Sequence, residues 1–218
     1  MKAKSNLKYG LLVIPMVMAI LALNGFGFFF KSGSAGAGIL IILFAYWRRL
    51  GKIKDIWLII GAFVFSIGGD WFLSNRHGDT GMFIAGIALF LVAHIGYLSY
   101  ALMNGKMHLI SLGILLAGYL VFFFLKLFPA LDNPVLMIAV LAYLFISCFS
   151  LAAAIGIKAT PFIYWSYVFG ISLVLFSDTI ISFREFIGYK QLDFLILPTY
   201  YLAHISVTFS LIKRSDIN

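Results

Sequence analysis

The sequence predicts an all-α fold: a polytopic membrane helix bundle of about eight transmembrane helices. Hydrophobic residues make up 63% of the chain and charged residues 11%, against roughly 45–50% and about 25% in soluble domains. The apolar residues form runs close to the ~20 residues that a helix needs to cross a bilayer, separated by short polar breaks. A water-soluble fold could not bury this much apolar surface. We therefore interpret residues 1–218 as one transmembrane domain.

The eight predicted helices correspond to eight apolar runs. The first follows a basic start, as a signal peptide does, but it exceeds the 7–15 apolar residues typical of one, so we expect it to be retained. The second is short and begins in a stretch of glycine, alanine and serine. Connections of a few residues leave no room for a soluble domain. The predicted spans are 9–30, 35–47, 56–74, 81–103, 108–127, 134–156, 162–182 and 194–212.

The basic residues predict the orientation of the chain. With the N-terminus inside, eleven of the 16 Lys and Arg residues fall on the inner side and five on the outer side, which places both termini in the cytoplasm. We expect the plasma (inner) membrane. The net charge of +8 does not indicate nucleic-acid binding, because the basic residues lie at the ends of apolar runs, where anionic lipid headgroups are met. Cys148 is the one cysteine, so no disulfide framework exists.

Two parts of the sequence echo each other. In the third run Gly68-Gly69-Asp70 is followed, in the fourth, by His94; in the seventh run Ser177-Asp178 is followed, in the eighth, by His204. The copies are four spans apart and so cross the membrane in the same direction. This arrangement is typical of a four-plus-four parallel repeat, although motifs this short also arise by chance.

Asp70 and Asp178 are the acidic residues that lie well inside apolar runs. A carboxylate there costs about 2.5–3.5 kcal/mol on insertion scales, so it normally faces the protein interior or a water-filled cavity. Both precede the outer end of their helices by a few residues, which predicts similar depth. Two neighbouring carboxyl groups favour a protonated acid beside a carboxylate. The structural alternative is that each aspartate caps or pins a neighbouring helix.

Histidines and tyrosines follow the same runs. His94 has Tyr97 one turn later, and His204 has Tyr200 and Tyr201 one turn earlier. They could orient a carboxylate, bind a headgroup or join the aspartates on a metal; the alternative is ordinary hydrogen bonding between helices. No HExxH or other compact ligand spacing is present, so we predict no metal and no organic cofactor.

Three basic residues lie on the predicted outer side with the aspartates. Lys31, Arg76 and Arg184 are placed at the outer ends of runs one, three and seven. They could collect a phosphate near the membrane surface. The alternative is that they are interfacial anchors.

At these residues the sequence resembles the lysoplasmalogenase (YhhN-like) family of small membrane proteins. The matching stretches extend over most of the chain from Ile53 onward. They are Ser66–Leu73 (SIGGDWFL), Gly86–Tyr97 (GIALFLVAHIGY), Phe176–Asp178 (FSD) and Thr199–Ala203 (TYYLA). The resemblance implies eight helices and Asp70 and Asp178 as the catalytic pair. It places four supporting residues around this pair, His94, Tyr97, Tyr200 and Tyr201. We add His204, Lys31, Asn75 and Ser177 to the expected substrate-binding or supporting residues.

The resemblance also implies an activity. Family members hydrolyse the vinyl ether of a lysoplasmalogen to a fatty aldehyde and glycerophospho-ethanolamine or -choline, and paired carboxylates suit the oxocarbenium-like species of that reaction. The expected partners are a lysophospholipid substrate and the bilayer. Two departures leave the headgroup open: His204 stands where the family commonly has glutamine, and Ser32 follows Lys31 where the family has proline.

Two other functions fit parts of the pattern. Carboxylates and histidines within the membrane are also common in transporters, although paired Gly/Pro breaks in the helices are missing. Intramembrane aspartyl proteases also use two aspartates. Here Ile67-Gly68-Gly69-Asp70 lacks the first glycine of the Gly-x-Gly-Asp motif, and no Pro-Ala-Leu motif follows.

Overall fold

The computed structural model describes residues 7–217, which form eight helices and no named strand in that range. The helices are α1 (Leu7–Leu23), α2 (Phe28–Tyr46), α3 (Ile56–Ser74), α4 (Thr80–Met103), α5 (Leu109–Phe122), α6 (Pro134–Ile155), α7 (Pro161–Ser182) and α8 (Asp193–Ile217). Helix α5 is followed directly by a π turn (Phe123–Leu127) and a 3₁₀ turn (Phe128–Ala130), and α7 by a π turn (Phe183–Ile187).

The helices fit an integral membrane protein. Seven of those in the described range are long and apolar enough to cross a bilayer. The remaining helix, α1, is apolar but shorter, at Leu7–Leu23. Large side chains such as Ile110, Ile114 and Phe162 are exposed on the outside of the bundle, as expected where lipid rather than water is the neighbour. The predicted all-α membrane bundle is confirmed.

Six helices form a closed ring. Each packs on the next in the order α2, α3, α4, α6, α7, α8, and α8 packs back on α2. Helix α1 lies outside this ring against α2 and α8, while α5 lies outside it against α6 and has no buried residue in its α-helical part. Each half of the chain thus supplies one outer helix followed by three ring helices, an arrangement that fits the predicted four-plus-four parallel repeat.

Both ends of the described chain lie at one end of the bundle. The Lys8 ammonium donates to the Ser215 hydroxyl at 2.9 Å and pairs with Asp216 at 3.1 Å. At this end, which we call the terminal end, Arg214 also pairs with the buried Asp55 at 2.6 Å. The opposite end, where α3 and α7 finish, is called the site end.

The boundary predicted between the first two helices is wrong. The turn at residues 24–27 lies inside the predicted span 9–30, and α2 begins at Phe28 rather than at 35. Gly25 and Gly27 have φ of 80° and 94°, a conformation that glycine adopts without strain, so the chain reverses there. Lys31 therefore lies in the first turn of α2, not at the end of the first span.

Small residues allow the helices to approach closely. A Cβ on Gly38 of α2 would lie 2.6 Å from the Phe63 ring and 2.7 Å from the Thr208 hydroxyl. The stretch of glycine, alanine and serine in α2 is therefore a packing surface against α3 and α8, as is usual between membrane helices. This explains why it is helical although its sequence looks like a linker.

Candidate active site

A cavity of about 250 Å³ opens toward the site end between α2, α3, α4, α7 and α8. Both Asp70 of α3 and Asp178 of α7 line it, together with the three basic residues Lys31, Arg76 and Arg184. Two acids that are more than a hundred residues apart in sequence thus share one cavity. The lining is mixed, because Leu73, Phe83, Phe90 and Ile181 provide apolar surface beside these charges.

Asp70 is held from two other helices. The Tyr200 hydroxyl of α8 donates to Asp70 Oδ2 at 2.9 Å. The Lys31 ammonium of α2 lies 3.7 Å from Asp70 Oδ1 and donates to the Ser74 hydroxyl at 2.8 Å. The Asp70 side chain is only 6% exposed, so water can do little to stabilise its negative charge. The Lys31 ammonium provides the nearby opposite charge instead.

Asp178 is also held from two helices. The Tyr143 hydroxyl of α6 donates to Asp178 Oδ2 at 2.6 Å, and His94 Nε2 of α4 lies 3.0 Å from the same oxygen. His94 is 1% exposed and its ring stacks edge-on against Tyr143. Both hydrogen bonds use one carboxyl oxygen, and Asp178 Oδ1 is left for another partner.

The two carboxyl groups are held by matching helices of the two halves. Asp70 is contacted from α2 and α8, and Asp178 from α6 and α4. In a four-plus-four repeat α2 corresponds to α6, and α8 corresponds to α4. His94 of the first half therefore contacts Asp178 of the second half. The groups around the two acids also differ: Asp70 has a phenol and an ammonium beside it, whereas Asp178 has a phenol and an imidazole.

Two apolar clefts lead away from Asp178. One, of about 50 Å³, lies between α4, α6 and α7 and is lined by Ile87, Val140 and Phe186. The other, of about 40 Å³, lies between α5, α6 and α7 beside Phe122 and Leu144. Asp178 lines both clefts and the polar cavity. A bound molecule with a polar head and one apolar chain would therefore have the junction of head and chain beside Asp178.

Ser177 lines the cavity, but its hydroxyl is used to hold α8. It donates to the Ile196 carbonyl at 3.0 Å. The Thr199 hydroxyl donates to the Leu195 carbonyl at 2.7 Å, next to Pro198 inside the helix. Proline removes one backbone donor from a helix, and hydroxyl groups commonly take up carbonyls near such a position in membranes. Ser177 therefore fixes the turn that presents Tyr200.

Four other predicted residues lie away from the cavity lining. His204 is buried against Tyr200 and Phe63, its Nδ1 faces the Tyr200 carbonyl at 3.1 Å, and its Nε2 has no hydrogen-bond partner in residues 7–217. Tyr97 packs beside His94, and both Tyr97 and Tyr201 are 1% exposed with hydroxyls unpartnered in that range. Asn75 ends α3, and its amide donates to the Trp71 carbonyl on the exposed side.

Sequence reasoning missed Tyr143, Glu185 and Asp193. Tyr143 was one of several tyrosines in apolar runs, with no motif around it. Glu185 lies in the π turn after α7, and Asp193 begins α8. Acids near helix ends resemble ordinary caps, so only the fold shows that both line the cavity. Single π turns occur frequently at functional sites, but no sequence pattern predicts where they form.

The described residues contain no group of three or more His, Cys, Asp or Glu side chains that could hold a metal ion. His94 and Asp178 form a pair without a third ligand. A closed ring of apolar helices around a buried Asp70 and a partly buried Asp178 defines an integral membrane protein with a candidate two-carboxylate active site.

Comparison with known proteins gives the family. A model of the YhhN family matches residues 26–211. The chain therefore belongs to the YhhN family, the family of lysoplasmalogenases. No curated protein and no solved structure gives a significant match to the chain.

Proposed function

We propose that this protein is a membrane hydrolase that cleaves the vinyl-ether bond of lysoplasmalogens, with Asp70 and Asp178 as the catalytic residues. One observation carries the proposal: the two aspartates line one cavity, and each is held by hydrogen-bonding or charged groups from two other helices. Family membership supports the same class of reaction. The products would be a fatty aldehyde and a glycerophosphodiester.

The shape of the site supports a single-chain lipid as substrate. The apolar chain would lie in the clefts between α4, α5, α6 and α7, and the headgroup would face the basic residues at the site end. The vinyl ether lies where chain and head join. It would therefore lie beside Asp178, which lines the polar cavity and both clefts.

Asp178 suits the role of proton donor. Cleavage begins when a proton is added to the distal vinyl carbon, which belongs to the chain side of the ether. Asp178 faces that side, and its Oδ1 is not used by Tyr143 or His94. Protonation breaks the carbon–carbon π bond and leaves an oxocarbenium ion at the ether carbon. His94, in contact with Asp178, is placed to return a proton to it.

Asp70 suits the role of the ionised partner. It lies on the head side with the Lys31 ammonium 3.7 Å away. Its carboxylate would stabilise the oxocarbenium ion and accept a proton from the water that attacks it, as paired carboxylates do on the related glycosidase transition state. The alcohol then leaves with the proton held by Asp70, while the hemiacetal hydroxyl gives its proton to Asp178 as the aldehyde forms, so both carboxyl groups return to their starting states. One water is consumed and no electrons are exchanged.

The proposal is tested by aldehyde release from a lysoplasmalogen by purified protein in detergent. Asp70→Asn and Asp178→Asn should each lower turnover by about 100-fold or more, because acid–base groups typically contribute 10²–10⁴-fold. Asp132→Asn is the matched control, since Asp132 follows α5 at the site end and does not line the cavity. Near-normal activity in either site variant would refute the catalytic roles. Binding without aldehyde release by the unmodified protein would favour transport or sensing.

A further inference from the structure

The rim of the cavity carries two ion pairs that differ in tightness. The Arg76 guanidinium contacts both oxygens of Glu185, at 2.9 and 2.8 Å. It also lies over the Phe83 ring, 5.0 Å from its centre. The charges of Arg76 and Glu185 therefore satisfy each other, and the Phe83 face on that side is covered.

The second pair is loose. Arg184 Nε lies 3.4 Å from Glu185 Oε1 and 3.7 Å from Asp193 Oδ2, and the Arg184 side chain is 46% exposed. Asp193 Oδ1 has no hydrogen-bond partner in the part of the chain that the structure describes. A guanidinium and a carboxylate thus face each other across the rim, beyond good hydrogen-bonding distance. Both retain capacity to bind charged groups of a ligand.

The charges on this rim match a zwitterion better than an anion. A phosphate can take the fork of donors on Arg184. The negative phosphate would then lie close to the Asp193 carboxylate. The repulsion between these two negative charges disfavours a headgroup that carries phosphate alone. A headgroup with a cation a few atoms from its phosphate places that cation at Asp193 and satisfies both side chains.

The type of cation also follows from the side chains. A primary ammonium has three N–H donors for carboxylate oxygens. A quaternary ammonium has none and is bound on aromatic faces. Arg76 already lies over the Phe83 ring, and the other aromatic rings of the cavity lining, Phe90 and Tyr200, pack edge-on against each other. Carboxylate recognition therefore favours ethanolamine over choline.

We infer that Arg184 and Asp193 form a headgroup site that selects a phosphate bearing a primary ammonium, with Arg184 on the phosphate and Asp193 on the amine. This inference rests on the proposed function, because the polar head must lie at this rim for the site to act. It assigns substrate specificity to two residues outside the catalytic pair.

The test is a binding measurement with saturated 1-O-alkyl lysolipids, which have the proposed head and chain but no vinyl bond to cleave. Purified protein is titrated with three versions, whose headgroups are phosphoethanolamine, phosphocholine and phosphate alone. Unmodified protein should bind the ethanolamine lipid about tenfold more tightly than either other lipid, the scale of one hydrogen bond to a charged group.

Variants assign the preference to the two residues. Asp193→Asn should bring the affinities for ethanolamine and choline lipids within about twofold, and the matched control Asp132→Asn should keep the tenfold difference. Arg184→Gln should weaken binding of all three lipids, whereas Lys190→Gln, an exposed residue of the same connection, should not. A choline preference, equal affinities, no binding or an unaffected Asp193→Asn variant would each overturn the inference.

This experiment is separable from the test of hydrolysis. Ethanolamine-selective binding without aldehyde release from a vinyl-ether lipid would leave the headgroup site in place and refute the hydrolase. Aldehyde release without headgroup selectivity would do the reverse.

Discussion

At the scale of single residues, the candidate site depends on two phenols as well as on two acids. Tyr143 and Tyr200 donate to one oxygen of Asp178 and of Asp70, at 2.6 and 2.9 Å. Asp70 is the proposed carboxylate, and Asp178 becomes one as it gives up its proton; a hydrogen bond to a charged group contributes roughly 1.5–3 kcal/mol. These hydroxyls therefore determine which carboxyl oxygen remains available to the substrate.

Tyr143→Phe and Tyr200→Phe should each lower kcat by about 10- to 100-fold, following from the loss of one such hydrogen bond while the ring stays in place. Tyr189→Phe is the control, because its exposed hydroxyl contacts Gln191 and not the site. The readout is aldehyde release, with thermal unfolding measured to show that the variants remain folded. Unchanged kcat in both site variants would contradict this role.

The residues that could be predicted from sequence are those whose chemistry is unusual for a membrane helix. Asp70 and Asp178 are conspicuous in apolar runs, and Lys31, His94 and Tyr200 also contact the pair. Tyr143 could not be predicted, because a tyrosine is ordinary in such a helix. The partner of each aspartate could not be predicted either. His94 lies nearer in sequence to Asp70 but contacts Asp178, because α4 packs on α6 of the second half as well as on α3.

At the scale of helices, the close contact between α7 and α8 positions residues of the candidate site. Helix α7 carries Asp178, and α8 carries Tyr200. A Cβ on Gly170 of α7 would lie 2.7 Å from a Val207 methyl and 3.1 Å from the Ala203 carbonyl, both on α8. These distances leave no room for a side chain, so glycine at 170 sets the spacing of α7 and α8.

Gly170→Ala should therefore destabilise the fold by roughly 1–3 kcal/mol, the usual cost of overpacking, and should lower activity as α8 moves. Gly118→Ala is the matched control on the outer helix α5, where nothing lies within 4 Å; there alanine should be neutral or stabilise by up to ~1 kcal/mol. Thermal unfolding in detergent measures both. Equal effects of the two substitutions would show that the α7–α8 spacing is not critical.

The helices themselves could be predicted because hydrophobic run length is a strong signal in a membrane protein. Predicted and observed bounds agree closely for α3, at 56–74 and Ile56–Ser74. The error at α2 has a physical cause. Its glycines and serines look like a linker by composition, yet they are the residues that allow α2 to pack against α3 and α8.

At the scale of the whole molecule, the ring of six helices brings together acids from the two halves of the chain. That closure could not be predicted from run lengths, which do not specify which helices are neighbours. The sequence echo did predict that Asp70 and Asp178 lie on helices of the same direction. The structure adds that each aspartate is contacted by one helix of its own half and one helix of the other half. These are α2 and α8 for Asp70, and α6 and α4 for Asp178.

The orientation of the molecule remains a prediction from the basic residues, with both termini in the cytoplasm. In a Cys148→Ala background, Lys158→Cys at the terminal end should be protected from a membrane-impermeant maleimide in intact cells. Lys190→Cys at the site end should be labelled from outside. The opposite labelling pattern would invert the topology and place the cavity opening on the cytoplasmic side.

Vinyl-ether cleavage in deuterium oxide, with the aldehyde trapped as it forms and analysed by mass spectrometry, tests whether Asp178 is the proton donor of a vinyl-ether hydrolase. We predict one deuterium on the carbon next to the carbonyl, because solvent-exchanged Asp178 transfers a deuteron to the distal vinyl carbon, and about 100-fold less product from Asp178→Asn. Aldehyde that carries no deuterium at that carbon, or undiminished product from Asp178→Asn, would contradict it.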